Sequence, residues 1–134
     1  MTESYEMYLE TILILSEENN KVRSIDIAKK MKFSRASVSV AIHKLENNKY
    51  LKINDDDTIT LLKKGMDIAT KIYERHTVIS QLLMSIGVNE KTASKDACKI
   101  EHDISSESFD RLCAFVNNCG VLQKNGKSEC KHDK

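Results

Sequence analysis

The chain of 134 residues contains no proline and no tryptophan, and it has only four glycines. Proline and glycine are the residues that most often interrupt helices, so their scarcity predicts long, unbroken helical segments. Aromatic residues make up 5% of the chain and hydrophobic residues 40%, which indicates a folded protein with an aliphatic, helix-rich core. At this length the chain can form one domain or two small domains.

Long apolar runs and a secretory leader are also missing. No stretch reaches the ~20 apolar residues that a membrane-spanning helix needs, and the first twenty residues carry acidic groups without a basic leader. We therefore expect a cytoplasmic protein that does not bind membranes. In a reducing compartment its four cysteines, Cys98, Cys113, Cys119 and Cys130, are expected to be reduced thiols or metal ligands more often than disulfides.

Apolar spacing and capping residues predict the secondary structure. Ser24 and Ser34 are typical N-caps for a second and a third helix, and Asn54–Asp57 is a typical hairpin turn. The predicted helices cover residues 5–18, 25–31, 35–47, 64–86, 90–102 and 106–117, and the predicted strands cover 50–53 and 58–61.

Two short helices joined by a tight turn and followed by a hairpin are the element order of a winged helix-turn-helix. Between Asn20 and Asn54 there are only two acidic residues, Asp26 and Glu46. The same segment has nine basic residues: Lys21, Arg23, Lys29, Lys30, Lys32, Arg35, Lys44, Lys49 and Lys52. Such an excess suits a surface that binds DNA phosphates. A solvated basic face on an ordinary helical domain is the alternative.

The start of the third helix is rich in small and hydroxyl side chains, which can approach phosphates and base edges closely. Arg35 can bind either a guanine edge or a phosphate. The predicted DNA contacts are Ser34, Arg35, Ala36, Ser37, Ser39 and Lys44.

A thiol, a carboxylate and an imidazole occur at Cys98, Glu101 and His102. The spacing i, i+3, i+4 places them on one face of a helix. Met7 and Glu10 form a second i, i+3 pair on the first helix. Sulfur, nitrogen and oxygen donors together suit a divalent transition metal. Each of these side chains, taken alone, is at least as often a core residue as a metal ligand. The metal hypothesis therefore depends on their combination.

Four segments, Glu6–Glu10, Ser34–Leu45, Arg75–His76 and Ala97–His102, resemble the diphtheria-toxin-repressor and manganese-transport-regulator family of metal-dependent regulators. The resemblance is to the short two-domain form. It implies a mainly α fold, with a winged helix-turn-helix DNA-binding domain followed by an all-helical dimerisation and metal-binding domain. The implied boundaries are 1–62 and 63–120, with a polar tail at 121–134 that we expect to be disordered.

The resemblance also implies two sets of metal ligands. Residues of the primary site of iron-responsive members are matched by Met7, Cys98, Glu101 and His102. Two ligands of manganese-responsive members are matched by Glu10 and His76. Iron-responsive members also have an ancillary site that uses a glutamate and a second histidine. At those two positions this chain has Ser80 and Ser94.

The sulfur donors Met7 and Cys98 replace an aspartate and a glutamate of the manganese type, which favours iron(II) over manganese(II). Manganese(II) stays possible, and zinc(II), cobalt(II) or nickel(II) are expected to substitute in vitro. The remaining cysteines, Cys113, Cys119 and Cys130, fit no metal site by their spacing.

These features predict a metal-dependent transcriptional repressor of metal-uptake genes that binds double-stranded operator DNA as a homodimer. The metal would restrict a hinge near Leu62–Gly65. We expect no enzymatic activity and no small-molecule substrate. One alternative is a redox- or zinc-sensing regulator that uses cysteine thiols, and another is a metal-independent helical interaction module. A metallohydrolase with Glu101 as general base gives the basic winged helix no role.

Overall fold

The computed structural model describes residues 2–119, with side chains to Asn118. The described residues form the helices α1 (Glu3–Asn19), α2 (Ser24–Met31), α3 (Arg35–Asn47), α4 (Lys63–Ser85), α5 (Glu90–Ile100) and α6 (Ser106–Cys119), and the strands β1 (Leu51–Ile53) and β2 (Ile59–Leu61). The mainly α prediction and the winged order of elements are confirmed. The predicted tail at 121–134, including Cys130, and the side chain of Cys119 lie outside the described residues.

The chain divides into two compact units, one of residues 1–71 and one that begins at Ile72. Helix α4 runs through this boundary without interruption, from Lys63 to Ser85. Within residues 2–119, every helix falls short of the length and apolar character that crossing a bilayer requires.

The first unit is built around an aliphatic core, as the sequence predicts. The apolar stripe of α1 is buried, and α2 and α3 contribute Ile27, Val38 and Ile42 to the same cluster. Leu51 of β1 and Ile59 of β2 complete it. The stripe of α1 consists of Leu9, Ile12, Leu13 and Leu15. Apolar spacing therefore determines which face of each helix turns inward and which stays exposed.

The two strands form an antiparallel hairpin, the wing, in which Leu51 pairs with Leu61 and Ile53 with Ile59. The backbone N–H of Ile59 also donates to the carbonyl of Val22, at 2.7 Å. This bond ties the wing to the link between α1 and α2.

The first turn of α4 is held against the start of β1. The N–H of Leu62 donates to the carbonyl of Tyr50 at 3.0 Å, and Nζ of Lys64 donates to the carbonyl of Asn48 at 3.0 Å. A Cβ at Gly65 would stand 2.1 Å from the carbonyl oxygen of Tyr50, so only glycine allows this approach. The segment expected to act as a hinge, Leu62–Gly65, is thus anchored within the first unit.

Several helix ends differ from the predicted ones by one or two residues, and two of these differences concern α2 and α5. Ser24 is the first residue of α2 and not its N-cap, because the N-cap N–H belongs to Arg23 and donates to Oδ2 of Asp26 at 3.0 Å. Helix α5 ends at Ile100 and not at His102. The predicted cap at Ser34 is confirmed.

The second unit has its own core, formed by α4, α5 and α6. Its buried members are Val78, Ile79, Ala97, Phe109, Cys113 and Val116. Cys113 is disulfide-bonded, so the expectation of a reduced thiol or ligand is wrong at this position. Gly87, with a φ of 105°, follows the end of α4 and allows the chain to turn toward α5.

Candidate metal centre and nucleic-acid interface

Helix α3 turns one face to the core and leaves the other exposed. Val38 and Ile42 are fully buried and hold the helix in the unit. Oγ of Ser34 accepts from the N–H of Ser37 at 3.1 Å, which fixes the helix start. All six predicted DNA contacts are exposed: Ser34, Arg35, Ala36, Ser37, Ser39 and Lys44. Their contact with DNA stays a prediction.

The basic charge of the first unit is available to a partner. All nine Lys and Arg side chains between residues 20 and 54 are exposed. The wing turn is different, because Asp55, Asp56 and Asp57 are adjacent there. A hydrogen bond from Thr58 lowers the pKa of the Asp56 carboxyl, and Lys21 and Arg23 contribute to the same shift. The acidic wing turn thus differs from the rest of this segment, in which four of the nine basic residues, Lys29, Lys30, Arg35 and Lys44, lie on α2 and α3.

Two exposed residues of α3 were missed by the sequence analysis. Val40 is 59% exposed, and His43 is exposed with its Nδ1 2.8 Å from the carbonyl oxygen of Ser39. They lie four residues after Ala36 and Ser39, two predicted contacts. The helical period could have added them to the same face.

Four of the predicted metal ligands lie together in the second unit. Nδ1 of His76 is 2.9 Å from Oε1 of Glu101 and 3.8 Å from Sγ of Cys98. Nε2 of His102 is 3.2 Å from the other oxygen of Glu101. The donor atoms of His76, Cys98 and Glu101 all lie within 4.8 Å of one another. One ion could contact donors from both α4 and the end of α5.

The carboxylate of Glu101 is fully buried, and a buried carboxylate is costly unless charge or hydrogen bonds compensate it. Its Oε2 receives no hydrogen bond of acceptable geometry from the described residues. Cys98, by contrast, is a free and exposed thiol. The buried carboxylate and the mixed sulfur, nitrogen and oxygen set fit a divalent transition metal.

Without metal, His76 supplies the compensating charge. Its contact with Cys98, and then that with Glu101, raise the pKa of His76 to about 10, although burial acts in the opposite direction. Nε2 of His76 lies 3.3 Å from Oγ of Ser94. At neutral pH the imidazole is therefore protonated between the thiol and the carboxylate, and it must lose a proton to bind metal through Nδ1.

The remaining predicted ligands, Met7 and Glu10, belong to α1 in the first unit. They lie three residues apart on one face, with Met7 half-buried and Glu10 buried. It stays a prediction that Met7 and Glu10 bind the same ion as the four donors of the second unit. Of the two serines at ancillary positions, Ser80 is buried and Ser94 contacts His76.

Arg75 was also missed by the sequence analysis, which assigned it no role beyond its part in the family resemblance. Its side chain is buried, with 6% of the residue exposed. Nη1 donates to the carbonyls of Glu101 at 3.1 Å and Ile104 at 2.7 Å, and Nη2 donates to Oγ of Ser106 at 3.4 Å. These partners are distant in sequence, so no local pattern could have shown them.

Comparison with known protein families matches both parts of the chain. Residues 1–58 match the iron dependent repressor N-terminal DNA binding domain. Residues 62–127 match the iron dependent repressor metal binding and dimerisation domain.

Among individual relatives, an uncharacterized HTH-type transcriptional regulator of Methanocaldococcus jannaschii is 36% identical over 118 residues, which cover 87% of this chain and 94% of that protein. The HTH-type transcriptional regulator MntR of Geobacillus thermodenitrificans is 36% identical over 115 residues, or 86% of this chain and 82% of that protein.

Solved structures agree with these matches. The manganese regulator SloR superposes with a TM-score of 0.77 at 31% identity, over 87% of this chain. The metal-dependent transcriptional regulator MtsR gives a TM-score of 0.78 at 27% identity, also over 87% of this chain. This chain spans 55% of the length of each of those two chains. The chain therefore belongs to the iron-dependent repressor family, whose members are metal-dependent, DNA-binding transcriptional regulators and not enzymes.

Proposed function

We propose that this chain is a cytoplasmic repressor of metal-uptake genes that binds operator DNA as a homodimer, with iron(II) as the preferred corepressor and manganese(II) as the second choice. The observation that carries the proposal is the cluster of His76, Cys98 and Glu101, whose donor atoms lie within 4.8 Å of one another around a fully buried carboxylate. A helix end with only a structural role does not require a thiol, an imidazole and a carboxylate so close together.

The proposed ligand set joins the two domains. It consists of Met7, Glu10, His76, Cys98, Glu101 and His102. When bound, the ion links α1 of the DNA-binding domain to the dimerisation domain. Holding both domains in one arrangement favours a spacing of the two recognition helices that fits half-sites one turn of DNA apart. A coupling of ~1–3 kcal/mol between metal and DNA sites is enough for a switch.

Exposed apolar side chains on the second unit support the homodimer. Ile86 is 70% exposed and Phe115 57%, and Met84 and Ile100 are also partly exposed. Apolar surface of this kind is typical of an interface between subunits. Sedimentation of Phe115→Glu tests the proposal, because a charge in the interface should shift the protein toward monomer.

The metal preference rests on two sulfur atoms. Cys98 and Met7 are softer donors than carboxylates, which favours iron(II) over manganese(II). The relative SloR is a manganese regulator, which supports manganese(II) as the alternative. Zinc(II), cobalt(II) and nickel(II) bind such donors tightly, so affinity alone does not identify the physiological ion.

The decisive experiment is anaerobic DNA binding in the presence of iron(II), manganese(II), zinc(II) or a chelator. We expect tight, sequence-specific binding with iron(II) or manganese(II), and weak binding with chelator. Equal affinity in all four conditions would contradict the corepressor role and favour the metal-independent interaction module.

A thiol-based sensor is the second candidate, because Cys98 is exposed and lies 3.8 Å from His76. Zinc or an oxidant could act at that thiol. The triple variant Cys113→Ser, Cys119→Ser and Cys130→Ser, which keeps Cys98, tests whether the other cysteines take part. Unchanged metal-dependent DNA binding would exclude them.

A further inference from the structure

Arg75 is a buried cation next to His76 on α4, and it is not one of the proposed metal ligands. A buried guanidinium is costly unless several acceptors surround it. Among the described residues its hydrogen-bond acceptors are the carbonyls of Glu101 and Ile104, in the short connection between α5 and α6, and the hydroxyl of Ser106, the first residue of α6. The cation is thus directed at one backbone segment.

That segment is the one that carries two metal ligands. Helix α5 ends at Ile100, and carbonyls near a helix end have no partner within the helix. Nη1 of Arg75 donates to two carbonyls there, those of Glu101 and Ile104. The ring of Phe109 lies 5.5 Å from Cζ of Arg75 and adds a cation–π contact. The guanidinium is therefore fixed by an aromatic ring as well as by the connection.

We propose that Arg75 is a positioning residue of the metal centre. By holding the backbone of Glu101 and Ile104, it sets the direction of the Glu101 and His102 side chains before metal binds. Helix α4 then supplies both a ligand, His76, and the group that fixes the facing ligand. The inference rests on the proposed function, because it presumes that Glu101 and His102 bind metal.

A purely structural role is the competing explanation, and a matched set of full-length variants separates the two. Arg75→Lys keeps the charge but loses the planar, multiply donating group. Arg75→Met keeps much of the length and loses the charge. Val116→Ala is the control, because Val116 is fully buried in the same core but lies on α6, ten residues after Ser106.

Affinity for manganese(II) and cobalt(II) is measured by competition with a chromophoric chelator, and the folding stability of each variant is measured by urea unfolding without metal. Loss of a residue that orients metal ligands typically lowers affinity by about 10–100-fold, and we expect that loss in both Arg75 variants. We also expect the absorption bands of their cobalt-saturated forms to shift, because these bands report ligand geometry. Val116→Ala should lower stability but leave affinity and spectrum unchanged.

The possible results are distinguishable. Wild-type affinity and spectrum in Arg75→Lys and Arg75→Met would overturn the positioning role and leave the proposed function intact. Equal losses of affinity in Val116→Ala would overturn it as well, because general destabilisation would then explain them. A wild-type protein that binds neither metal would overturn both proposals. If Arg75→Met fails to fold, Arg75→Lys still decides.

Discussion

Nδ1 of His76 lies 2.9 Å from Oε1 of Glu101, so a base on α4 faces a fully buried carboxylate at the end of α5. Because of this pairing, the space between the two side chains can hold either a proton or a metal ion. A proton held on His76 neutralises the carboxylate in the metal-free protein, and a divalent metal is expected to replace it. Proton and metal therefore compete for the same donors.

The first prediction concerns the pH dependence of the metal-free protein. The pKa of His76 is raised from 6.5 to about 10, so its contribution to stability is fully present below pH 6.5 and is lost as the pH rises through 10. The difference in free energy of unfolding between wild type and His76→Gln should follow this course. Urea unfolding with chelator at several pH values measures it.

The control for this prediction is His43→Gln, which changes an exposed histidine on α3. Its effect on the free energy of unfolding should be small throughout the same pH range. A difference between wild type and His76→Gln that does not vary from pH 6 to pH 10 would show that the histidine is not held in its protonated form.

The second prediction is that Glu101→Gln abolishes the metal response. The substitution keeps the shape of the side chain but removes the negative charge, and losing a ligand should cost at least the roughly 10–100-fold in metal affinity that a supporting residue costs. Metal titration and metal-dependent DNA binding measure the effect. Asp103→Asn, at an exposed position two residues away, is the control and should behave as wild type.

Local patterns were sufficient to predict much of this chain. The apolar stripe of α1 and the cap at Ser34 both follow from helical spacing over a few residues. The burial of Leu9 and Ile12 confirms the first of these. Spacing of this kind relates residues in adjacent helical turns, so it can be recognised without the tertiary structure.

Features that depend on distant partners could not be predicted. Arg75 bonds to residues 26, 29 and 31 positions further along the chain, so neither its burial nor its role is visible locally. The anchoring of Gly65 is similar, because the carbonyl of Tyr50 that excludes a side chain there belongs to another element. Helix periodicity at 98–102 likewise did not show that α5 ends at Ile100.

The third prediction concerns the DNA interface. Arg35→Ala and Lys44→Ala should each weaken operator binding, and each should reduce the slope of log affinity against log salt by about 0.9 if the side chain neutralises one phosphate. If Arg35 instead binds a guanine edge, its loss should cost ~1–3 kcal/mol and relax specificity at one base pair. Fluorescence anisotropy at several salt concentrations separates the two.

Lys91→Ala is the matched control for these variants, because Lys91 is exposed but belongs to α5 of the second unit. It removes the same charge without touching the basic segment. A loss of affinity in Lys91→Ala as large as in Arg35→Ala would mean that net charge, and not the face of α3, governs binding.

The fourth prediction is that Gly65→Ala destabilises the first unit. The new Cβ would stand 2.1 Å from the carbonyl oxygen of Tyr50, and forcing atoms into packed space typically costs ~1–3 kcal/mol. Thermal and urea unfolding measure the loss. Lys63→Ala, at an exposed position in the same turn, should change stability by less than about 0.5 kcal/mol. Equal stability of Gly65→Ala and wild type would mean that α4 is not anchored here.

The last prediction concerns metal choice. Replacing both sulfur donors by carboxylates, in the double variant Met7→Asp and Cys98→Glu, should shift the preference from iron(II) toward manganese(II), because hard oxygen ligands suit manganese better than sulfur does. Anaerobic competition between the two ions, with DNA binding as a second readout, measures the shift. Met66→Asp, which makes the same exchange of sulfur for carboxylate at an exposed methionine of α4 outside the proposed site, is the control and should leave the preference unchanged. If the double variant keeps the preference of wild type, the sulfur atoms of Met7 and Cys98 do not set the choice of metal.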